Sequence, residues 1–300
     1  MDRLIELHHQ LAHDDGYTDT AVPEVRLTRA TQCVAKTPVM SEPCIAIALQ
    51  GRKRAFFGSD VLQFDADQYL VVAIPMPFSS ATDATPEEPF LGLTIQVDRA
   101  TLAELMFAVD QSDNDVPAAP KGMMTTCMDA RLRDTVLRLL ETLSSPLEAR
   151  VLGPAIVREI CFRVLMGEQG AAMRAALTGQ GQFGRIAKAL RRIHSDYAAS
   201  IDVGMLAAEA SMSVPAFHVH FKSVTHCSPI QYVKSARLHQ ARLLMVRQDL
   251  TAEAACHAVG YTSASQFSRE FRRLFGRPPG QEALHLKGLL SLAAPAHGRP

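Results

Sequence analysis

Three hundred residues exceed what one compact core usually organises, so the chain is read as two domains. A hydrophobic fraction of 47% with 21% charged residues fits a soluble globular protein, and no run approaches the roughly eighteen apolar residues of a membrane span. The net charge of zero conceals an asymmetry: residues 1–180 carry 16 Lys/Arg against 24 Asp/Glu, residues 181–300 carry 15 against 7, and only the second part suits a polyanion.

Met1 to His13 reads as a helix closed by Asp14 to Gly16, with no signal-peptide core, so the cytoplasm is the expected compartment. From Val25 to Val97 short β runs alternate with turn residues. Strands are expected at Val25–Arg29, Cys44–Leu49, Arg54–Phe57, Val61–Phe64, Tyr69–Ile74 and Phe90–Val97, with turns at Gly51, Gly58 to Asp60 and Asp65 to Asp67. That spacing predicts a small barrel or sandwich. Pro75 to Pro89 is polar and contains several prolines, and reads as a loop at its mouth.

Metal-dependent catalysts in such barrels cluster histidines with a carboxylate, yet no histidine occurs between Gln32 and Glu168. Neither an enzyme nor a cofactor is expected. His8, His9 and His13 lie outside the strands and read as solvated. The cysteines at 33, 44, 127, 161, 227 and 256 have no close pair and read as reduced core residues, with a thiol sensor at Cys33 or Cys44 as the alternative.

Asp98 is placed to cap a helix over Ala100–Val109, and Gln111 to Lys121 reads as a linker or loop. Helical periodicity then runs from Met128 to Leu143, with Leu132, Val136, Leu139, Leu140 and Leu143 on one stripe. Pro146 opens a further segment carrying Val151, Ile156, Ile160, Phe162, Val164 and Leu165. These two helices either cover the open side of the barrel or form a dimer interface. Gly179 to Gln182 reads as a flexible junction, dividing a domain over 1–180 from one over 181–290, with 291–300 as a flexible tail.

The basic half opens with a helix over Phe183–Ala199, turning Ile186, Leu190, Ile193 and Tyr197 inward and Arg185, Lys188, Arg191 and Arg192 outward, towards solvent or phosphate. One pattern then occurs twice, over Val203–Lys222 and Thr251–Arg272. Each copy has a short Ala-rich helix, a brief turn, and a helix with Phe at i and i+4. One extra residue in the second turn aligns Ser213 with Ser263, Phe217 with Phe267 and Phe221 with Phe271. This is the spacing of a helix-turn-helix, whose second helix enters the DNA major groove. Between the copies, Pro229 starts a helix running to about Gln248, with Ile230, Val233, Leu238, Ala241, Leu244 and Met245 as its apolar stripe. At about 1.5 Å per residue it spans roughly 30 Å, enough to set two recognition helices about one DNA turn, some 34 Å, apart.

These two units, the opening Ser228–Tyr232 of the connecting helix and the ending Phe275–Pro279 resemble the AraC/XylS family of bacterial transcription regulators. Ile47–Arg54 and Asp67–Val72 resemble the cupin-like sensor domain of one subgroup of that family. The resemblance implies an α+β chain: a cupin-like β-barrel with flanking helices, then an all-α domain of two helix-turn-helix units joined by a long helix. It implies base contacts from Val214, Pro215, His218 and Val219 in the first unit and Ala264, Ser265, Ser268 and Arg269 in the second. Lys222, Arg272 and Arg273 stand where phosphate contacts would position the helices. Arg269 is the strongest base reader, since a guanidinium bonds guanine O6 and N7 bidentately. The expected partners are double-stranded DNA, RNA polymerase, a small-molecule effector and a second copy of the chain. A ligand-independent dimeric regulator is the alternative.

Two departures from the family pattern fall in the first unit. Val219 stands where Arg is frequent, and Ser211 stands where the turn usually has Gly, as Gly260 does in the second unit. The first unit is therefore expected to discriminate less. His218, His220 and His226 do not share a helix face as a zinc pair at i and i+4 would.

Overall fold

The computed structural model describes residues 2–109 and 120–292, with side chains as far as Lys287. The expected loop over Gln111 to Lys121 and the tail over 291–300 fall mostly outside those residues.

Helix α1 (Arg3–Leu11) is capped by the Asp2 carboxylate, which accepts from Leu4 N–H. It lies on a six-stranded antiparallel sheet in the order β1 (Gly16–Asp19), β2 (Val25–Ala30), β9 (Phe90–Gln96), β4 (Cys44–Gln50), β7 (Gln68–Val72), β10 (Met123–Cys127). A second sheet runs β3 (Val34–Ser41), β8 (Met76–Asp83), β5 (Arg52–Phe57), β6 (Asp60–Asp65). The expected α+β class is present, but the barrel is not closed: among the described residues no ladder joins the edge strands of one sheet to those of the other, so the domain is a two-sheet sandwich.

The sheets separate where the chain leaves β4 for β5. Gly51 turns there at φ +75°, and a Cβ on it would come 2.8 Å from Phe90 Cα. Strands β3 and β8 were not expected. Pro38 and Pro77 lie within them and much of their length is polar, yet β8 pairs with β3 on one side and β5 on the other. The supposed mouth loop is thus a central strand of the smaller sheet.

Helices α2 (Arg99–Val109), α3 (Ala130–Leu143) and α4 (Pro146–Met166) follow. Asp98 caps the first, accepting from Thr101 N–H at 2.8 Å, and Asp129 and Ser145 cap the others. The α3 stripe is buried as expected, in a cluster with Leu27, Ile45, Leu93, Ile160 and Val164. Helix α4 buries Ile156, Ile160, Val164 and Leu165, while Val151 and Phe162 face outward, exposed with Leu147 and Met166. His8, read as solvated, is instead completely buried, its Nε2 3.0 Å from the Gly92 carbonyl. Gly92 also permits the close pairing of β9 with β4, since a Cβ there would lie 2.7 Å from the Ile47 carbonyl oxygen.

Helix α5 (Gly170–Thr178), not foreseen, meets α6 (Gly181–Ser195) at a tight corner, with Gly179 and Gly181 both left-handed. A Cβ on Gly184 would strike the Ala175 carbonyl at 2.6 Å, so the two helices touch backbone to backbone. The remaining helices are α7 (Val203–Glu209), α8 (Val214–Thr225), α9 (Pro229–Arg247), α10 (Ala252–Ala258), α11 (Ala264–Phe275) and α12 (Pro279–Leu292).

Two cores serve these helices. Ile186, Leu190, Phe217, Phe221 and Tyr232 join a cluster that continues into the sandwich through Phe64, Leu70, Val72, Ile74 and Met76. Leu238, Met245, Cys256, Tyr261, Phe267, Phe271 and Phe275 form another around the second unit. In α9, Ile230 is exposed, and Tyr232 takes the buried place instead.

Two outcomes follow for stability. Ser211 sits at φ +54° in the first turn, the region where only glycine is free of Cβ strain, whereas Gly260 holds the equivalent place at φ +80°. Ser211→Gly is expected to raise the unfolding midpoint, by about 1 kcal/mol of stability. Gly260→Ala is expected to cost more than that, because its Cβ would also lie 2.3 Å from the Ala198 carbonyl. Chemical denaturation of both variants checks the pair of signs. Burial lowers His8 to about 4, and burial with the nearby Arg242 lowers His239 to about 3. Both stay neutral when folded but take up protons when unfolded, so stability is full above pH ~6.5. It is expected to fall as the pH drops towards 4, by about 1.4 kcal/mol per pH unit for each histidine. His8→Gln, which keeps a donor for Gly92, is expected to halve that slope in midpoints measured across this range.

Candidate nucleic-acid interface

Each recognition helix is fixed at its start by the serine that the repeat aligns. The Ser213 hydroxyl accepts from Ala216 N–H, and Ser263 accepts from Gln266 N–H, so both are N-caps. Pro215 follows in the first turn of α8, where its missing N–H costs nothing. One face of each helix is then buried: Phe217, Phe221 and Thr225 in α8, and Phe267, Phe271 and Phe275 in α11. Both helices end in a left-handed residue, His226 and Gly276, whose N–H groups bond the carbonyls of Lys222 and Arg272.

The opposite faces hold the expected residues. Val214, Pro215, His218, Val219 and Lys222 are exposed together on α8, and Ala264, Ser265, Ser268, Arg269, Arg272 and Arg273 on α11. Among the described residues none of Lys222, Arg269, Arg272 and Arg273 pairs with a carboxylate. The charge is unequal: α11 presents three guanidiniums, and α8 presents one lysine beside apolar Val214 and Val219.

Several residues that hold these helices were not singled out from sequence. Glu270 accepts from Lys234 on α9 at 2.6 Å, from the Tyr261 hydroxyl at 2.7 Å and from Gln266 at 3.1 Å. Burial pushes its carboxyl up, but these three donors outweigh that and hold it below the usual range. Arg237 donates to the carbonyls of Tyr197, Ala199 and Gly260, tying α9 to the second turn. A lysine or glutamate on a helix is normally solvated, so only the i+4 spacing of Gln266 and Glu270 hinted at this knot.

The basic face of α6 is spent within the protein. Arg185 and Lys188 donate to the carbonyls of Ser211 and Glu209 at the end of α7, Arg191 donates to Ala176 at the end of α5, and Arg192 pairs with Asp196. These cations satisfy helix C-termini and brace the first turn.

The first unit is docked on the sandwich. The His226 ring packs against Phe57, tilted by 46° with ring centroids 4.2 Å apart, over Gly58, where any Cβ would lie 2.3 Å from the imidazole Nδ1. The Tyr232 hydroxyl donates to the Pro75 carbonyl at 2.7 Å and lies 2.8 Å from His194 Nε2, while His194 Nδ1 lies 3.3 Å from Glu42. Arg242 reaches the Pro38 carbonyl from α9.

Beside this junction a cavity of about 790 Å³ runs from the sandwich interior to α9. Its inner wall carries Ala46, Ala55, Phe64, Leu70, Val72 and Phe78, with Lys53 among them, and its outer wall carries His239 and Arg242. Cys44 also lines it, but burial pushes that thiol up, away from a reactive thiolate.

Comparison with known proteins agrees with this arrangement. Residues 21–172 match the family of the AraC-type transcriptional regulator N-terminus, and residues 206–283 match a helix-turn-helix domain family. Among curated proteins, the transcriptional regulator AlkR of Acinetobacter baylyi is 32% identical over 94 residues, which is 31% of this chain and 31% of AlkR. The transcriptional activator RhaS of Pectobacterium carotovorum is 28% identical over 87 residues, covering 29% of this chain and 31% of RhaS. The chain thus spans about a third of the length of the curated relatives it matches. Over nearly the whole chain the fold is similar to ToxT of Vibrio cholerae. One such structure superposes with a TM-score of 0.59 at 12% identity, covering 87% of this chain and 98% of ToxT. Another, ToxT with an unsaturated fatty acid bound, gives 0.56 at 11% identity, covering 88% and 95%. No helix among the described residues is long and apolar enough to cross a membrane. With a family match over half its length and a tandem helix-turn-helix behind it, this chain belongs to the AraC-type family of DNA-binding transcription regulators.

Proposed function

We propose that the chain recognises an asymmetric duplex site through α8 and α11 and activates transcription when a small molecule occupies the sandwich cavity. The observation that carries this reading is the pair of serine-capped helices with solvent-facing residues at equivalent positions, joined by the 19-residue α9. Val214, Pro215, His218 and Val219 face bases from one helix, and Ala264, Ser265, Ser268 and Arg269 from the other. Lys222, Arg272 and Arg273 sit on phosphates and set the register.

We divide the chain into a sensing and dimerising domain over 1–180 and a DNA-binding domain over 181–290, with 291–300 as a tail. The acidic and basic halves meet there. Effector control is supported by the cavity, whose two walls belong to the two domains: a ligand that prefers one arrangement of those walls shifts the docking of the first unit. The fatty-acid complex of the similarly folded ToxT is in keeping with such a ligand. Dimerisation is supported by the exposed Leu147, Val151, Phe162 and Met166 on α4, and RNA polymerase in the cytoplasm is the partner through which an activator acts.

Selection of bound sequences from a random duplex pool tests the reading with the full-length protein. Two motifs about one helical turn apart are expected, and Arg269→Ala should erase one guanine preference at a cost of about 1–3 kcal/mol. Lys222→Ala should weaken all sequences alike and reduce the salt slope by about one. A symmetric site, or enrichment unaffected by Arg269→Ala, overturns the assignment of the reading helices.

A further inference from the structure

A second cavity, of about 830 Å³, lies on the other side of the domain junction, between the sandwich, α2, α5 and α6. It shares a wall with the first through Glu42, Val72, Gln96, His194 and Ser195. Its floor is apolar, with Ile74, Leu102, Met173, Ala176, Leu177 and Ala187.

The charged groups around it are Arg99, Lys188, Arg191 and Arg192 against Glu42, Asp98 and Glu209. Most are committed elsewhere. Asp98 accepts from the Thr101 amide and hydroxyl, Glu42 faces His194, Arg192 pairs with Asp196, and Lys188 donates to the Glu209 carbonyl. Arg99, Arg191 and the Glu209 carboxylate remain, two positive charges against one negative. Among the described residues neither guanidinium pairs with a carboxylate, and Arg191 makes one bond, to the Ala176 carbonyl. Burial lowers Arg191, and the like charge of Arg99 lowers it further, with Glu209 only partly offsetting this. Two guanidiniums thus line one groove over an apolar floor, one from the sandwich side at the start of α2 and one from the first helix of the DNA-binding half. A carboxylate satisfies such a pair by bidentate bonds, and an apolar body behind it covers the floor.

We propose that this groove is a second effector site, for a small amphipathic carboxylate that bridges Arg99 and Arg191 and so fastens the two halves together. It is separate from the sandwich cavity and does not depend on the DNA-reading assignment.

Sodium hexanoate is the probe, titrated into the full-length protein by calorimetry and thermal denaturation. Uncharged hexanol and, at equal ionic strength, sodium sulfate serve as comparisons. A saturable rise in melting temperature with hexanoate alone is expected. Arg99→Gln, at an exposed residue that makes no hydrogen bond or ion pair among the described residues, should weaken hexanoate about tenfold or more. Arg191→Gln should do the same, and Lys53→Gln, in the sandwich cavity, should leave it unchanged. The proposal is overturned by the absence of a saturable shift at millimolar hexanoate, or by an equal shift with sulfate or hexanol. It is likewise overturned if binding survives Arg99→Gln but is lost in Lys53→Gln, which would place the carboxylate in the sandwich.

Discussion

Tyr232 has no exposed surface, so its hydroxyl must be satisfied inside the protein, and its partners come from both halves. Pro75, between β7 and β8, offers a carbonyl that has no helix or ladder use, and His194 on α6 supplies the other contact. The phenol has one proton. Given to Pro75, it leaves the oxygen to accept from Nε2 of His194, whose other ring nitrogen lies 3.3 Å from Glu42. The aromatic body of Tyr232 meets Phe221 edge-on and joins the cluster that runs unbroken into the sandwich. The placement of the first reading helix, the shape of both cavities and the seat of His226 on Phe57 all depend on this junction staying shut.

The DNA-binding half was legible because its signals are local. A phenylalanine pair at helical spacing, a serine before each helix and a left-handed turn residue each depend on a few neighbouring positions, and the repeat supplied its own check. The sandwich was legible only where strands alternate or run apolar. β8 was hidden because Ser79, Ser80 and Thr82 carry no hydrophobic signal, although its partners on both sides make it central to its sheet. His8 was hidden for a related reason: burial beneath α1 is a tertiary fact, and its partner is a backbone carbonyl 84 residues away. Likewise strand count left barrel and sandwich open, and the barrel implied by the family resemblance gave way to two sheets, since ladder closure depends on pairing between distant edges that no single strand reveals.

Basic residues were the least readable class. The four cations of α6 looked like a phosphate-binding face, and the structure gives three of them to carbonyl groups near the ends of neighbouring helices and the fourth, Arg192, to the Asp196 carboxylate. The cations that stay free of carboxylates on the reading face are those of α11, together with Lys222. Charge by itself therefore marked the half that carries the helix-turn-helix units but did not separate α6 from α8 and α11.

The division into two cores has a consequence for motion. The first unit shares its hydrophobic cluster with the sandwich, whereas the second has its own, fastened through α9 by Arg237, by the Lys234–Glu270 pair and by the Arg242–Glu282 pair beside α12. Elements with separate cores open as separate cooperative units. The two helix-turn-helix units therefore respond separately to local opening, and the contact of α11 with β3 ties the second unit to the sandwich beyond its link through α9.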